Sequence, residues 1–226
     1  MPNRRSFLSR VSAGVAAVAG TATPASPQAA APPQGPWAPE RHAQDDWLDQ
    51  VPGKHRFFYD TATPNGAGDA ITFATNFYLA NRSGYSLGDA DLAVVICLRH
   101  WSTPFAWTDA IWAKYGAPLS ERIKFADPKT QQPPAINVYQ STSYGMQLPN
   151  RGTTLDTLIR RGVQFAVCDM ATRAYAGIVA GKVGGKPDDV YQELKASSIA
   201  NCHYVAAGIL AVNRAQERGY SLVQMG

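Results

Sequence analysis

The sequence predicts an α/β fold in which a mainly parallel β-sheet carries helices on both faces. Two runs, 92–98 and 163–168, are continuously apolar rather than alternating, which is typical of parallel strands that are covered on both sides. Strand-like runs also occupy 55–60 and 220–225. Helical patterns fill the intervals between these runs, and this alternation predicts right-handed crossover connections within one sheet.

The first two predicted helices are indicated by their start signals and apolar spacing. Asp69 is a natural N-cap, and the apolar residues that follow over 70–77 fall at i, i+3, i+4 and i+7. The second helix begins at Thr103 and Pro104, a cap followed by proline at the first helical position, and it ends at Gly116.

Three further helical regions are predicted in the second half of the chain. A short helix occupies 153–162 and another surrounds 175–179. A long helical region runs from Pro187 to Gly219, with Cys202 on its apolar face.

One long interval lacks a helical or strand pattern. Residues 119–152 are rich in Pro, Ser, Thr and Gln. A loop of this length inside a compact domain is typical of a functional or mobile segment, and 135–140 could alternatively form a short edge strand.

The N-terminus has the order of segments expected of an export signal. A pair of arginines is followed by a weakly apolar Ala- and Gly-rich stretch and then by small residues and prolines. This pattern predicts a twin-arginine signal peptide over 1–31, and its apolar stretch is too short for a permanent membrane span. A Pro-rich linker is predicted over 32–53 and a single domain over 54–226, in a periplasmic or otherwise exported protein.

The basic net charge of +4 belongs mostly to the predicted signal peptide. Loss of Arg4, Arg5 and Arg10 lowers the number of basic side chains from 21 to 18, against 17 acidic ones. The remaining chain is nearly neutral, which argues against nucleic acid or an anionic membrane surface as its partner.

The chain has three cysteines, so at least one thiol is left without a partner in the chain. Cys168 ends a predicted strand and faces the first turn of the next helix, where the backbone dipole favours thiolate. The alternative is a buried, inert thiol, the common state of a free cysteine. Cys97 inside a strand and Cys202 on an apolar helix face are predicted to serve core packing.

Three segments are expected to meet at one edge of the sheet, because parallel strands all end on the same side. These are 61–69, 99–104 and 168–173. They bring together Cys168 and His100, the predicted reactive thiol and its base or hydrogen-bond partner, although a histidine at a strand end can also be a plain surface residue. The predicted ligand-binding residues at this edge are Asn65, Gly66, Gly68, Asp69, Arg99, Trp101, Asp169 and Arg173.

No cofactor or metal is predicted. The glycines of 65–69 lack the third glycine of a dinucleotide fingerprint and the lysine of a P-loop, so they indicate a tight turn before a helix. His203 follows Cys202 but has none of the paired spacing of a zinc site.

Several local motifs together resemble the DsrE/DsrF-like family of small α/β proteins. They are the helix start at 66–70 after the first strand, the strand 162–168 that ends in cysteine, and 207–220 before the final strand. The resemblance implies a flavodoxin-like parallel sheet and assembly into trimers or hexamers. In sulfur-handling members a cysteine carries persulfide sulfur, and that role maps onto Cys168.

The leading hypothesis is an exported sulfur carrier, similar to a sulfurtransferase, in which Cys168 accepts sulfane sulfur and His100 helps to stabilise the thiolate. Its partners would be a small sulfur species or another protein, in addition to further copies of the chain. The alternative is a non-catalytic module of the same fold that binds a small ligand or a partner. A flavin or nucleotide binder is a third hypothesis, which no convincing phosphate loop supports.

Overall fold

The computed structural model describes residues 38–226, which fold around a single five-stranded sheet. The strands in chain order are β1 (His55–Thr61), β2 (Leu92–Leu98), β3 (Gln164–Cys168), β4 (Cys202–Val205) and β5 (Ser221–Met225). Neighbours follow the order β4-β3-β2-β1-β5, and every pair is parallel. The predicted single-domain α/β fold with a parallel, flavodoxin-like sheet is therefore confirmed.

Helices connect all of these strands. The α-helices are α1 (Trp47–Gln50), α2 (Pro64–Tyr85), α3 (Asp109–Ile123), α4 (Leu155–Arg160), α5 (Asp169–Val183), α6 (Pro187–Ala196) and α7 (Gly208–Gln216). Short 3₁₀ helices occupy Ala43–Asp45, Asp89–Asp91, His100–Ala106, Val138–Gln140 and Thr142–Gln147. Within the described part of the chain, none of the helices is both long and apolar enough to span a membrane.

The direction of the chain decides which face each helix covers. Helices α2 to α6 pack on one face because the chain advances steadily from β1 to β4, and right-handed crossovers keep those connections on one side. The return from β4 past β1 to β5 reverses direction, so α7 covers the opposite face together with α1. Both faces of β2 are consequently buried, with Ile96 in one core and Cys97 in the other.

The prediction of one long helical region from Pro187 to Gly219 is wrong, because this segment contains the strand β4 between α6 and α7. The apolar residues Ile199, Cys202 and Ile209 have helical spacing in the sequence, but Ile199 lies in the connection after α6, Cys202 in β4 and Ile209 in α7. Ile199 and Cys202 pack against the core, while Ile209 is exposed.

Helix α2 begins before the predicted start at Asp69. Thr63 is the N-cap, and its Oγ1 accepts a hydrogen bond of 3.0 Å from the amide of Gly66. The glycines at the start of α2 serve close packing, since a Cβ on Gly66 would collide with the carbonyl of Met225. A Cβ on Gly68 would lie 2.7 Å from the Tyr139 hydroxyl, so neither position tolerates a side chain.

Helix α3 begins and ends later than predicted. Residues 103–106 belong to a 3₁₀ helix, and the N-cap of α3 is Thr108. The helix continues through Gly116, which lacks a side chain because a Cβ would collide with the Pro134 carbonyl. Glycine is therefore required here for close contact with the following loop and does not end the helix.

The loop after α3 is packed onto the core. The edge strand considered over 135–140 is absent, and a 3₁₀ helix forms at Val138–Gln140. Buried Asn137 donates from Nδ2 to the carbonyls of Phe105 and Trp107, each at 2.8 Å. Tyr139 donates to the carbonyl of Pro64 at 2.8 Å, which ties the loop to the start of α2.

The fold extends to the N-terminal side of the domain start predicted at Lys54. Leu48 and Val51, in the segment predicted as a linker, are buried beneath the α7 face of the sheet. Tyr220 donates a 2.7 Å hydrogen bond to the Leu48 carbonyl. The predicted signal peptide over 1–31 lies outside the described residues.

Candidate functional site

The carboxyl edge of the sheet has a point where neighbouring strands send their connections to opposite faces. Strand β3 continues into α5 on one face, and β4 continues into α7 on the other. Ligands of open α/β sheets bind in the crevice formed at such a point. Cys168 ends β3 and pairs with Val205 at the end of β4, so the cysteine lies at this crevice.

Cys168 is both the last residue of β3 and the N-cap of α5. Its Sγ accepts a hydrogen bond of 3.4 Å from the amide of Ala171. The residue retains 7% of its surface exposed, so the thiol is close to solvent but well sheltered. The sulfur therefore lies at the amino-terminal end of a 15-residue helix.

Arg99 lies beside Cys168 at the edge of the sheet. Leu98 pairs with Val167 in the parallel register, so the next residues along the two strands, Arg99 and Cys168, are neighbours. Arg99 makes a two-pronged ion pair with Asp60, at 2.6 Å from Nε to Oδ1 and 2.8 Å from Nη2 to Oδ2. The hydrogen bonds to Asp60 are the main cause of the raised pKa of Arg99, and the neighbouring cysteines Cys97 and Cys168 act in the same direction.

The start of α7 packs directly against Arg99. A Cβ on Gly208 would collide with the Cβ of Arg99, so glycine allows the helix to approach this closely. Asp60 and Gly208 thus hold the arginine from two sides, and both were missed from the sequence. The signal for Asp60 was available, since it is a carboxylate at the end of the otherwise uncharged run Phe57-Phe58-Tyr59.

The other two cysteines have surroundings typical of packing residues. Burial raises the pKa of the Cys97 thiol well above its ordinary value, and Cys97 Sγ lies 3.8 Å from the carbonyl of Gly208. Burial also raises the pKa of Cys202 to about 12. Both thiols are therefore held in the neutral, unreactive form at physiological pH.

His100 is exposed and lies next to Trp101. The two rings stack with their centroids 5.1 Å apart, and His100 has a φ of 55° in the left-handed region. The Tyr175 hydroxyl donates to the His100 carbonyl at 3.0 Å. Among residues 38–226 no hydrogen bond joins the His100 ring to Cys168, and the imidazole instead lines a cleft with Trp101 and Ala171.

Asp169 and Arg173 lie at the start of α5 but contact α6. Asp169 accepts from Arg173 Nε at 2.9 Å and from the Tyr191 hydroxyl at 2.5 Å. The Arg173 guanidinium also lies 4.1 Å from the centre of the Tyr191 ring. These contacts fasten α5 to α6 and use the polar groups that were predicted to bind a ligand.

The predicted ligand-binding residues of α2 have different surroundings. Asn65 is exposed and lines a second cleft with Trp101. Gly66 and Gly68 are buried in packing contacts, and Asp69 is half-buried in the second turn of the helix. The structure therefore brings Cys168 and Arg99 together, while Asn65, His100 and Trp101 form a separate, neighbouring surface.

Comparison of the chain with protein-family models, with curated proteins and with solved structures finds no match.

Proposed function

We propose that the protein is an exported sulfur carrier in which Cys168 accepts and releases sulfane sulfur. The observation that carries this proposal is the setting of the Cys168 sulfur, which accepts the Ala171 amide at the start of α5. Helix N-termini and nearby arginines both favour the thiolate, the form of cysteine that attacks another sulfur. Cys97 and Cys202 lack such a setting because burial disfavours their thiolates.

The proposed step is a simple displacement. The Cys168 thiolate attacks the terminal sulfur of a donor persulfide, R–S–SH, and a new sulfur–sulfur bond forms on Cys168. The bond between the two donor sulfurs breaks, and its electron pair leaves with the donor thiolate, R–S⁻. The terminal sulfur keeps its proton, and no external oxidant or reductant is required.

Arg99 has a positioning role in this proposal. Two of its five N–H donors are directed at Asp60, which fixes the plane of the guanidinium. The remaining donors are available to a negatively charged sulfur species at the crevice. His100, which the sequence predicted as the partner of the thiol, has no part in the proposed step, because no hydrogen bond joins its ring to Cys168 among the described residues.

The proposal keeps the wider expectations drawn from the resemblance to the DsrE/DsrF-like family. These are export by the twin-arginine route, assembly with further copies of the chain, and a small sulfur species or a partner protein as donor. The parallel sheet with a cysteine at the end of β3 supports the resemblance at the level of the fold.

The experiment is mass spectrometry of the purified protein after exposure to polysulfide and alkylation of the free thiols. Peptide mapping is expected to find one added sulfur on Cys168 and none after Cys168→Ser. Cys97→Ser and Cys202→Ser serve as matched controls that keep the adduct. Added sulfur on all three cysteines only under denaturing conditions would instead support a non-catalytic binding module, with Cys168 as a packing residue.

A further inference from the structure

A second surface at the carboxyl edge has the composition of a ligand site. Two clefts share Trp101, and the larger encloses about 420 Å³. A third cleft shares Arg122 and Ile178 with the smaller one and Lys124 with the larger one. We call this continuous surface the Trp101 groove. It is defined by His100, Trp101, Arg122, Lys124, Phe125 and Ile178.

The charge of the groove is positive. Arg122 and Lys124 are exposed, and no carboxylate of the described residues lies within ion-pair distance of either. Two further residues bear on the charge of the groove: Glu121, which pairs with Lys182 at 3.0 Å, and Gly226, the last residue of the chain, which lines the larger cleft with Lys124. Arg122 and Tyr175 line the same cleft, and the positive charge of Arg122 opposes the burial that raises the pKa of Tyr175.

The remaining wall is apolar and aromatic. Trp101 is held by its stack on His100, with an interplanar angle of 16°. Phe125 packs edge-on against the buried Phe105, with the ring centroids 5.5 Å apart. Flat apolar surface next to two free cations matches an amphipathic anion, since small-molecule sites are mostly apolar with a few polar groups that set orientation.

We propose that the Trp101 groove binds a small organic anion. The flat apolar part of the ligand lies on Trp101 and Phe125, and its carboxylate, sulfonate or phosphate group is bound by Arg122 and Lys124. The volume of the larger cleft falls within the range of small-molecule sites, about 300–1,000 Å³.

The groove and the thiol are close but distinct. Ala171 lines the groove, and its amide donates to the Cys168 sulfur at 3.4 Å. A bound anion would therefore lie next to the crevice that holds the thiol. The binding itself does not depend on the reactivity of the cysteine, so Cys168→Ala is expected to leave it intact.

The test uses the full chain and the fluorescent anion 8-anilinonaphthalene-1-sulfonate as the probe. The double variant Arg122→Gln/Lys124→Gln is expected to weaken its binding by about fivefold or more, the effect of removing two charges from a partly exposed site. The control is Lys54→Gln/Arg160→Gln, which removes two exposed cations near the amino ends of β1 and β3. It is expected to change binding by less than about twofold.

Salt dependence and a second site provide independent checks. Raising ionic strength from about 0.05 to 0.5 M is expected to weaken binding to the unaltered protein but not to the double variant. An exposed apolar patch beside β5, lined by Phe73 and Phe77, could also take up the probe. The proposal is overturned if the double variant binds as tightly as the unaltered protein, or if Phe73→Ser abolishes binding and Trp101→Leu does not.

Discussion

Substitution of Asp60 tests whether the ion pair with Arg99 holds the carboxyl edge together. The Asp60 side chain is 6% exposed and that of Arg99 is 21% exposed, so the pair is largely removed from water. In Asp60→Asn the side-chain size is unchanged, but the carboxylate charge is lost and an amide group faces a guanidinium N–H. The partly buried arginine is then left without its counter-charge.

The magnitude follows from the burial of the pair. Removing one partner of a fully buried pair destabilises proteins by about 3–5 kcal/mol. Because Arg99 is partly exposed, water compensates some of its charge, and we expect a loss of about 2–3 kcal/mol in the free energy of unfolding. For a domain of this size that loss lowers the Tm by about 5–10 °C.

The assay is urea unfolding at neutral pH, supported by calorimetry, with Glu121→Gln as the matched control. Glu121 and Lys182 form an exposed pair, with side-chain exposures of 67% and 55%, and its loss is expected to cost less than about 0.5 kcal/mol. A double-mutant cycle with Arg99→Gln isolates the pairwise contribution. A cost for Asp60→Asn as small as that of the control would refute the structural role of this pair.

Three further predictions address the site, the packing and the pH response. Arg99→Lys keeps the positive charge but loses the planar guanidinium with its paired N–H donors. The rate of sulfur loading on Cys168 is therefore expected to fall by about tenfold, the equivalent of one charge-assisted hydrogen bond. An unchanged rate would show that charge alone suffices. Gly116→Ala is expected to destabilise the fold by about 1–3 kcal/mol in urea unfolding, because its Cβ collides with backbone. Gly84→Ala, with open space around it in α2, is expected to stabilise by about 0.5–1 kcal/mol, and equal effects at the two glycines would contradict the packing described. Burial lowers the pKa of His203 below its ordinary 6.5, so the contribution of the neutral imidazole to stability is complete above that pH and is lost as the pH decreases toward the folded-state pKa. In His203→Phe the unfolding free energy is expected to vary less between about pH 7 and 5. An undiminished slope would assign the effect to another group.

The sequence predicted the central strand well and the edge strand poorly, for a physical reason. Every residue of β2 is buried because strands and helices surround it on all sides, and the resulting apolar run is visible without any knowledge of its partners. Strand β4 has four residues, of which only Val205 is buried. Cys202 has helical spacing with Ile199 and Ile209, which lie outside the strand, so only the pairing with β3 reveals the strand.

The candidate site was predictable where local pattern decides and unpredictable where long-range packing decides. The position of Cys168 follows from a strand that ends directly before a helix. The partner of Arg99 does not, because Asp60 lies 39 residues earlier in the chain. Contact with Gly208 likewise depends on α7 returning across the opposite face of the sheet.

Local sequence pattern and long-range packing lead to different expectations for the chemistry at Cys168. Sequence order placed His100 and Arg99 equally near the end of β2, and histidine was the more familiar partner for a cysteine. Strand register distinguishes them, since Arg99 directly follows β2 beside Cys168, while His100 has a positive φ and begins a 3₁₀ helix. Stabilisation of a thiolate by a permanent cation and a helix dipole does not depend on protonation of an imidazole. Sulfur loading in the proposed mechanism is therefore expected to be unchanged in His100→Gln.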